Sequence, residues 1–387
     1  MLRSKFFVWF AATSVVLLAS CGGNDYAPTL SSVKVMGDSL SDSGVFGELP
    51  VGSGYGRIFS VQASPGVTTP IWTERLATQL GAPAPCSFYK FTGTTFTYQA
   101  TCGSFAVGGG RINNRYKTDS SGAAPFSIPT QLATSATLGN YKSSDLLLID
   151  GGGNDAADLV GAYLGAAADS GAAFSAIVTS TLMPNSAVLA ALQSADLPTA
   201  GTVYMQALAD EFYDSIKTHA LNKDATHVTV LNIPAITKTP RFQTVLAAVE
   251  QSAGAPARAG AEALFNVWIQ AFNTKLASNI GTDKRVVLVD FYAAFLDQVA
   301  HPAQYGLTNV TTPACPAVGA GGDGLPEYNF ETCTAASLSS NPPEGQTSAD
   351  WWKTYAFSDG FHPTPYGHQL MSQQVTRSLT QAGWISR

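Results

Sequence analysis

The sequence predicts an α/β fold in which a mostly parallel sheet lies between two layers of helices. Four short β-prone runs are spread along the chain, and segments with helical periodicity separate them; the runs cover residues 33–36, 146–149, 227–233 and 285–291. Strands that alternate with helices of this length are typical of a three-layer α/β/α sandwich.

The first half of the chain supplies two strands and a helix. Residues 33–36 form a β-prone run that ends at Gly37, which suits a first strand. Residues 72–80 have helical spacing and stop at Gly81, a residue type that often ends a helix. Residues 146–149 are continuously apolar, as expected of a strand that is covered on both faces.

The second half repeats the alternation. Helical periodicity covers residues 203–221 and 261–280, and each segment precedes one of the two later strands. Three aromatic side chains of the second segment fall on one face, and we expect them in the core: Phe265, Trp268 and Phe272. The last helix is expected after Thr364, an N-cap residue type that is followed by a proline.

Two stretches and one histidine carry weaker signals. The Ala- and Ser-rich residues 156–200 predict one or two weak helices, either as a plain insertion or as part of a lid or acyl pocket. Residues 311–343 have little periodicity and predict a long loop held by a disulfide. We expect His368, on the last helix, to be exposed to solvent.

Composition limits the kinds of partner. Apolar residues make up 45% of the 387 residues and charged residues 12%, so the chain can bury a sizeable core. The net charge is −6, and no run of Lys and Arg occurs. Nucleic-acid binding depends on clustered positive charge, so we expect no nucleic-acid partner.

The N-terminal residues have the pattern of an export signal. Arg3 and Lys5 precede an apolar run over residues 6–18, which is shorter than the roughly 20 residues that span a bilayer. A permanent transmembrane helix is therefore the weaker interpretation. We expect a signal peptide over residues 1–20.

Residues 18–21, Leu-Ala-Ser-Cys, resemble the lipobox of bacterial lipoproteins, in which the cysteine becomes the lipidated N-terminus. We therefore expect a lipid on Cys21, a tether over residues 21–32 and a single domain over residues 33–387. The chain would be exported and held on the cell envelope, with the outer membrane as the expected site. Ordinary cleavage near Ser20 without a lipid is the alternative.

The cysteine count agrees with lipidation. The chain has five cysteines, and a lipid on Cys21 leaves four in two local couples. Of the three possible pairings, proximity favours Cys86 with Cys102 and Cys315 with Cys333. Free thiols are the alternative, but an oxidising compartment disfavours them.

A serine and a histidine at opposite ends of the chain form a candidate catalytic pair. Ser39 lies in the segment Gly-Asp-Ser-Leu-Ser, directly after the first strand. In open α/β sheets, ligands bind just beyond the carboxyl ends of the strands, so this serine is placed to react. Alone, this segment is equally consistent with a capped strand-to-helix turn. Asp359 precedes His362 by three residues, and a carboxylate-supported histidine can activate a serine hydroxyl.

Two glycine-rich segments offer hydrogen-bond donors. Residues 105–110 end in three glycines, and residues 152–155, Gly-Gly-Asn-Asp, follow the strand at 146–149. Donors at the carboxyl edge of a sheet can stabilise an oxyanion. Each segment alone is a common type of turn.

In this order, the four segments resemble the conserved blocks of the GDSL lipases and esterases, also called SGNH hydrolases. The resemblance extends from Gly37 to His362 and implies a flavodoxin-like α/β/α fold and a serine ester hydrolase without cofactor or metal. The remaining histidines are scattered and lack ligand spacing. The resemblance implies a triad of Ser39, Asp359 and His362, with oxyanion donors from Ser39, Gly109 and Asn154.

Some assignments stay open at this point. Gly108 and Gly110 are alternatives to Gly109, and Asp150 is either structural or a carboxylate that favours cationic substrates. Lipid, short-chain and choline esters and acetylated polysaccharides are candidate substrates, with a preference for acyl or lipid esters. Acyl transfer is a variant, and a non-catalytic surface-binding protein on the same fold is the rival. We expect a monomer.

Overall fold

The computed structural model describes the larger part of the chain, namely residues 29–49, 53–64, 67–117, 125–180 and 186–386. The predicted signal peptide, the lipidation site at Cys21 and most of the tether lie outside the described residues. Every helix in the described part is too short or too polar to cross a membrane.

A four-stranded sheet in which all neighbouring strands are parallel lies at the centre of the fold. In spatial order its strands are β1 (Ser32–Met36), β4 (Asp145–Ile149), β5 (Val228–Leu231) and β6 (Val286–Val289). Two antiparallel ribbons lie outside the sheet: β2 (Tyr89–Phe91) with β3 (Phe96–Tyr98), and β7 (Ala317–Ala320) with β8 (Pro326–Tyr328). The predicted α/β class and parallel sheet are confirmed.

The described residues contain eleven α-helices. They are α1 (Trp72–Gln79), α2 (Ile128–Thr137), α3 (Gly153–Asp169), α4 (Ala172–Thr179), α5 (Ser186–Gln193), α6 (Leu197–His219), α7 (Pro240–Ala253), α8 (Ala255–Ile280), α9 (Phe291–Ala300), α10 (Ala335–Ser340) and α11 (Pro365–Gln381). The last helix begins at Pro365, where the Thr364 hydroxyl accepts a hydrogen bond from the Gly367 N–H at 3.1 Å.

Residues 146–149 of β4 are continuously apolar because helices cover both faces of the sheet there. Leu146 and Leu148 belong to one hydrophobic core, together with residues of α1 and α11. Leu147 and Ile149 belong to the other core, with residues of α2, α3, α6 and α8. Successive strand side chains point to opposite faces, so a strand covered by helices on both sides is apolar on both faces. In β4 only Asp145, at the start of the strand, is polar.

Residues 156–200 are more helical than the sequence predicts. They contain most of α3, all of α4 and α5, and the start of α6. Phe174, Ile177 and Val188 are buried in the larger core, and Phe174 lies 6.2 Å from the ring of Trp268. Long-range packing therefore stabilises helices whose own sequences give a weak signal.

The prediction for His368 is wrong. The side chain is fully buried, and burial together with the charge of Arg75 lowers its pKa to about 3. His368 shares its helix face with the buried residues Met371, Val375 and Leu379. Spacings of three and four residues place these side chains on the face that packs against the sheet.

Both expected disulfides are present. Cys86 bonds to Cys102, and Cys315 bonds to Cys333. Residues 311–343, expected to be a long loop, also contain the β7–β8 ribbon and the short helix α10.

Candidate active site

Ser39 lies just beyond the carboxyl end of β1. Residues 103–107 run beside β1: Val35 donates to the Gly103 carbonyl at 2.9 Å, and Phe105 donates to the Val35 carbonyl at 2.7 Å. This pairing brings the glycines at 108–110 to the same edge of the sheet. Asn154 arrives there from the next strand, at the start of α3.

The loop before α11 presents His362 to the serine. Nε2 of His362 lies 2.8 Å from Oγ of Ser39, and Nδ1 lies 2.8 Å from Oδ2 of Asp359. The Ser358 N–H donates to the His362 carbonyl at 2.8 Å, which closes the loop. The structure thus brings Ser39, near the start of the chain, together with Asp359 and His362, near its end.

Asp359 is held as a carboxylate. Burial alone would raise the pKa of Asp359, but the adjacent His362 and hydrogen bonds from the backbone lower it below its usual value. Those backbone donors are the N–H groups of Phe361 at 2.8 Å and His362 at 2.6 Å. A charged Asp359 can therefore fix the orientation and tautomer of the imidazole.

The three glycines differ in whether their N–H groups are engaged. The Gly108 N–H donates to Oδ2 of Asp42 at 2.8 Å, and the Gly110 N–H donates to the Val107 carbonyl at 2.9 Å. Within the described residues, the N–H groups of Gly109 and Ser39 have no acceptor. Gly109 also has a φ of +79°, a backbone conformation that favours glycine. Of the three glycines, Gly109 is the one with a free donor.

Asn154 is anchored by its side-chain amide. Its Nδ2 donates to the Gly110 carbonyl at 2.9 Å and lies 3.5 Å from Oδ2 of Asp38. Ser39, Gly109, Asn154 and His362 line the same cleft, so the predicted donors and the triad face one space.

Asp150 has a structural position. It is buried under the turn that carries Ser39, where it accepts hydrogen bonds from the Ser41 hydroxyl and from the Asp38 N–H. Burial raises the pKa of Asp150, and burial plus the charge of Asp150 raises that of Asp38 well above its usual value. Asp150 does not line the cleft, so the structure gives no basis for a role in attracting cationic substrates.

Three further residues support the site, and sequence analysis missed them. Asp42 accepts from the N–H groups of Gly44, Val45 and Gly108, each at 2.8 Å. Asp155 accepts from Ile112 and Asn113, and Gln131 accepts from the Gly37 N–H and donates to its carbonyl. Asp155 sits inside the glycine-rich segment 152–155, and Asp42 directly follows the Gly-Asp-Ser-Leu-Ser segment, so both positions offered a signal. Gln131 lies in α2 and has no such signal.

The cleft has a volume of about 780 Å³ and a mixed lining. One wall consists of Arg111, Ala157 and Asp158, and another consists of residues of α7. The third wall consists of residues 311–313, 325, 326 and 328, which belong to the segment 311–343 that contains the Cys315–Cys333 disulfide. A separate apolar cavity of about 60 Å³ lies behind Leu40 and Phe361, but neither Ser39 nor His362 lines it. No cluster that could hold a metal ion occurs among the residues described.

Comparison with known proteins identifies the family. The model of the GDSL-like lipase/acylhydrolase family matches residues 33–375. Lipase 1 of Photorhabdus luminescens is 28% identical over 397 residues, covering 96% of this chain and 53% of its own length. The GDSL esterase/lipase EXL2 of Arabidopsis thaliana is 33% identical over 131 residues, covering 31% of this chain and 29% of its own length.

The chain thus spans about half the length of Lipase 1 and less than a third of EXL2. The family match, by contrast, extends from the first strand into the last helix and includes every predicted site residue except Cys21. The chain belongs to the GDSL-like lipase/acylhydrolase family.

Proposed function

We propose that the protein is a serine ester hydrolase that uses Ser39 as its nucleophile. The observation that carries this proposal is the continuous hydrogen-bonded chain from Asp359 through His362 to Oγ of Ser39, with 2.8 Å at each step. A serine hydroxyl becomes a nucleophile when a positioned base accepts its proton.

In the first half of the reaction, Nε2 of His362 takes the proton while Oγ of Ser39 attacks the ester carbonyl. The carbonyl oxygen gains negative charge, which the N–H groups of Ser39 and Gly109 and the amide of Asn154 stabilise. Each such donor typically stabilises the transition state by roughly 3 kcal/mol. His362 then returns the proton to the leaving alkoxide, and an acyl-serine remains.

In the second half, His362 takes a proton from water, which attacks the carbonyl carbon of the acyl-serine. The bond between this carbon and Oγ then breaks, His362 returns the proton to Oγ of Ser39, and the acid leaves. The residues of the chain supply the nucleophile, the base and the donors, so this mechanism calls for no cofactor. Transfer of the acyl group to another alcohol uses the same residues. Binding without turnover, the rival function, does not require a histidine within hydrogen-bond distance of the serine.

Hydrolysis of p-nitrophenyl esters of increasing acyl length, by wild type and Ser39→Ala, tests this proposal. We expect wild type to be active and the variant to lose activity on the order of 10⁴-fold or more, since members of a triad act as a unit. Circular dichroism and thermal unfolding establish that the variant is folded. Equal activity in the two proteins would contradict the role of Ser39.

We also propose that the protein is exported and carries a lipid on Cys21 that holds it on the cell envelope. The support is the sequence Leu-Ala-Ser-Cys at residues 18–21, behind a charged and then apolar N-terminus. The two disulfides agree with an oxidising compartment. An ester hydrolase on a membrane would have access to lipid as well as water-soluble esters.

A further inference from the structure

We propose that Arg111, paired with Asp158, is a positioning residue that holds the predicted oxyanion donor Gly109 in place through a hydrogen bond to its carbonyl. The proposal rests on the ester hydrolase function above, because it assigns a role in that reaction. Arg111 and Asp158 line the cleft together with Gly109 and Asn154. In the sequence, both lie just outside the glycine-rich segments at residues 105–110 and 152–155.

The guanidinium group of Arg111 bonds to the donor loop and to helix α3 at the same time. Its Nη1 donates to the Gly109 carbonyl at 2.6 Å. Its Nε donates to Oδ2 of Asp158 at 2.6 Å, and its Nη2 donates to Oδ1 at 3.3 Å. This two-point pairing is the one that a planar guanidinium favours. Each of its three nitrogens has a partner, so the orientation of the group is fixed.

Asp158 ties this group to the helix that carries Asn154. It follows Asn154 by four residues in α3, so the two side chains lie on the same face of the helix. The Tyr116 hydroxyl also donates to Oδ2 of Asp158, and Nζ of Lys117 lies 3.4 Å from that oxygen. Burial alone would raise the pKa of Asp158, but hydrogen bonds and charge from Arg111 lower it below its usual value. Asp158 is thus a carboxylate at neutral pH, and the pairing with Arg111 is one of opposite charges.

The donor loop is held on both sides of Gly109. The Gly108 N–H before it donates to Asp42 at 2.8 Å, and the Gly110 carbonyl after it accepts from Asn154 at 2.9 Å. Between these two contacts, Arg111 holds the Gly109 carbonyl. Glycine is conformationally permissive, and Gly109 has a φ of +79°. The direction of its N–H therefore depends on how the neighbouring peptides are held.

The position of this N–H matters for the rate. Oxyanion donors stabilise the transition state because they are already in place where negative charge develops. A displacement of about 1 Å is enough to lower a rate by about 10²-fold. Loss of the Arg111 bonds should therefore lower kcat, while KM stays close to that of the wild type, because the donor acts on charge that appears only in the transition state.

Steady-state hydrolysis of p-nitrophenyl acetate by wild type, Arg111→Lys and Asp158→Asn tests the proposal. Each variant should lower kcat by about 10- to 100-fold and change KM by less than about threefold. Arg111→Lys keeps the positive charge but loses the planar fork. Asp158→Asn removes a negative charge from the cleft wall, which would raise kcat if Arg111 stabilised the oxyanion by its charge alone. The double variant should have about the kcat of the slower single variant, because the two side chains act as one unit.

Arg115→Lys is the matched control. Arg115 also joins a carbonyl to a carboxylate: its Nε donates to the Ser180 carbonyl at 2.6 Å, and its Nη2 donates to Oε2 of Glu211 at 2.5 Å. It lines a different pocket, together with Thr130. Arg115→Lys should lower Tm by an amount similar to Arg111→Lys and leave kcat unchanged. Circular dichroism establishes that all variants are folded.

Three results would overturn the proposal and leave ester hydrolysis intact. The first is a kcat that stays within about twofold of wild type in Arg111→Lys, whether or not KM changes. The second is a kcat that rises in Asp158→Asn. The third is an equal loss of kcat in Arg115→Lys, which would indicate a general loss of stability. Failure of the function itself, and of the proposal with it, would appear as ester hydrolysis that survives Ser39→Ala.

Discussion

Asp42 and Asp155 hold the backbone on either side of the nucleophile by accepting hydrogen bonds from N–H groups. Both carboxylates are buried, with 1% and 0% of the residue exposed. Burial raises the pKa of Asp42 to about 6 and that of Asp155 to about 7, although the backbone donors act in the opposite direction. The loops that form the site are thus fixed by groups that titrate near neutral pH.

This arrangement predicts a pH dependence of stability. The pKa of Asp155 is about 7 in the folded protein against an ordinary value of 3.8, so the folded state binds more protons between these limits. The contribution of Asp155 to the free energy of unfolding is therefore largest below about pH 4 and is lost as the pH rises through 7.

Urea unfolding of wild type and Asp155→Asn at pH 5 and pH 8 measures this contribution. The decrease in the free energy of unfolding between the two pH values should be smaller in Asp155→Asn, because the titrating group is gone. The same decrease in both proteins would show that Asp155 is ionised throughout this range in the folded state.

The segment 311–343, which contains the Cys315–Cys333 disulfide, forms part of the wall of the cleft. It carries Leu325, Pro326 and Tyr328, which line the cleft, and the Cys315–Cys333 disulfide closes it. Asp323 in the same segment pairs with Arg241 of α7 at 2.7 Å. The other disulfide, Cys86–Cys102, encloses the β2–β3 ribbon and carries no residue of the cleft wall.

The two disulfides are therefore matched controls for each other. Their sequence separations are 18 and 16 residues, so replacing either pair by serines should lower the free energy of unfolding by a similar amount, about 3 kcal/mol. Only Cys315→Ser with Cys333→Ser should also raise KM for esters, because the cleft wall loosens. Chemical denaturation and steady-state kinetics measure the two effects. An equal change of KM in both variants would argue against a specific role of the 311–343 wall.

Helices and strands with strong local sequence patterns were predictable, and those that depend on packing against distant parts of the chain were not. The run at 146–149 and the cap at Thr364 place β4 and α11 closely. Helices α4 and α5 are only eight residues each and depend on packing against distant parts of the chain. The candidate triad was predictable from the two segments at residues 37–41 and 359–362, whereas Gln131 was not, because its role comes from hydrogen bonds with Gly37, which is far away in sequence.

At the scale of the whole molecule, the parallel sheet determines where the site forms. Strands β1 and β4 run side by side with Met36 opposite Ile149, so the segments that follow them emerge at one edge. Ser39, Gly109 and Asn154 reach that edge from three separate parts of the chain, and the loop before α11 adds the histidine. This meeting point agrees with the position of ligand sites in open α/β sheets.

The proposed lipid anchor on Cys21 predicts where the whole molecule is found in a cell. In a bacterial host, the wild-type chain should incorporate labelled palmitate and fractionate with membranes, and Cys21→Ser should do neither. The fold and its activity on soluble esters should be the same in both forms, because Cys21 precedes the sheet. Incorporation of palmitate into Cys21→Ser, or its absence from the wild type, would contradict the proposed lipid anchor.

The central claim is that Asp359 and His362 activate Ser39, and covalent labelling tests it most directly. Wild type is incubated with a fluorophosphonate, and the modified peptide is identified by mass spectrometry beside Ser39→Ala and His362→Ala. We predict one label per chain on Ser39, none in Ser39→Ala, and labelling at least about 10³-fold slower in His362→Ala. A label on another residue, or equal labelling of wild type and His362→Ala, would contradict the account.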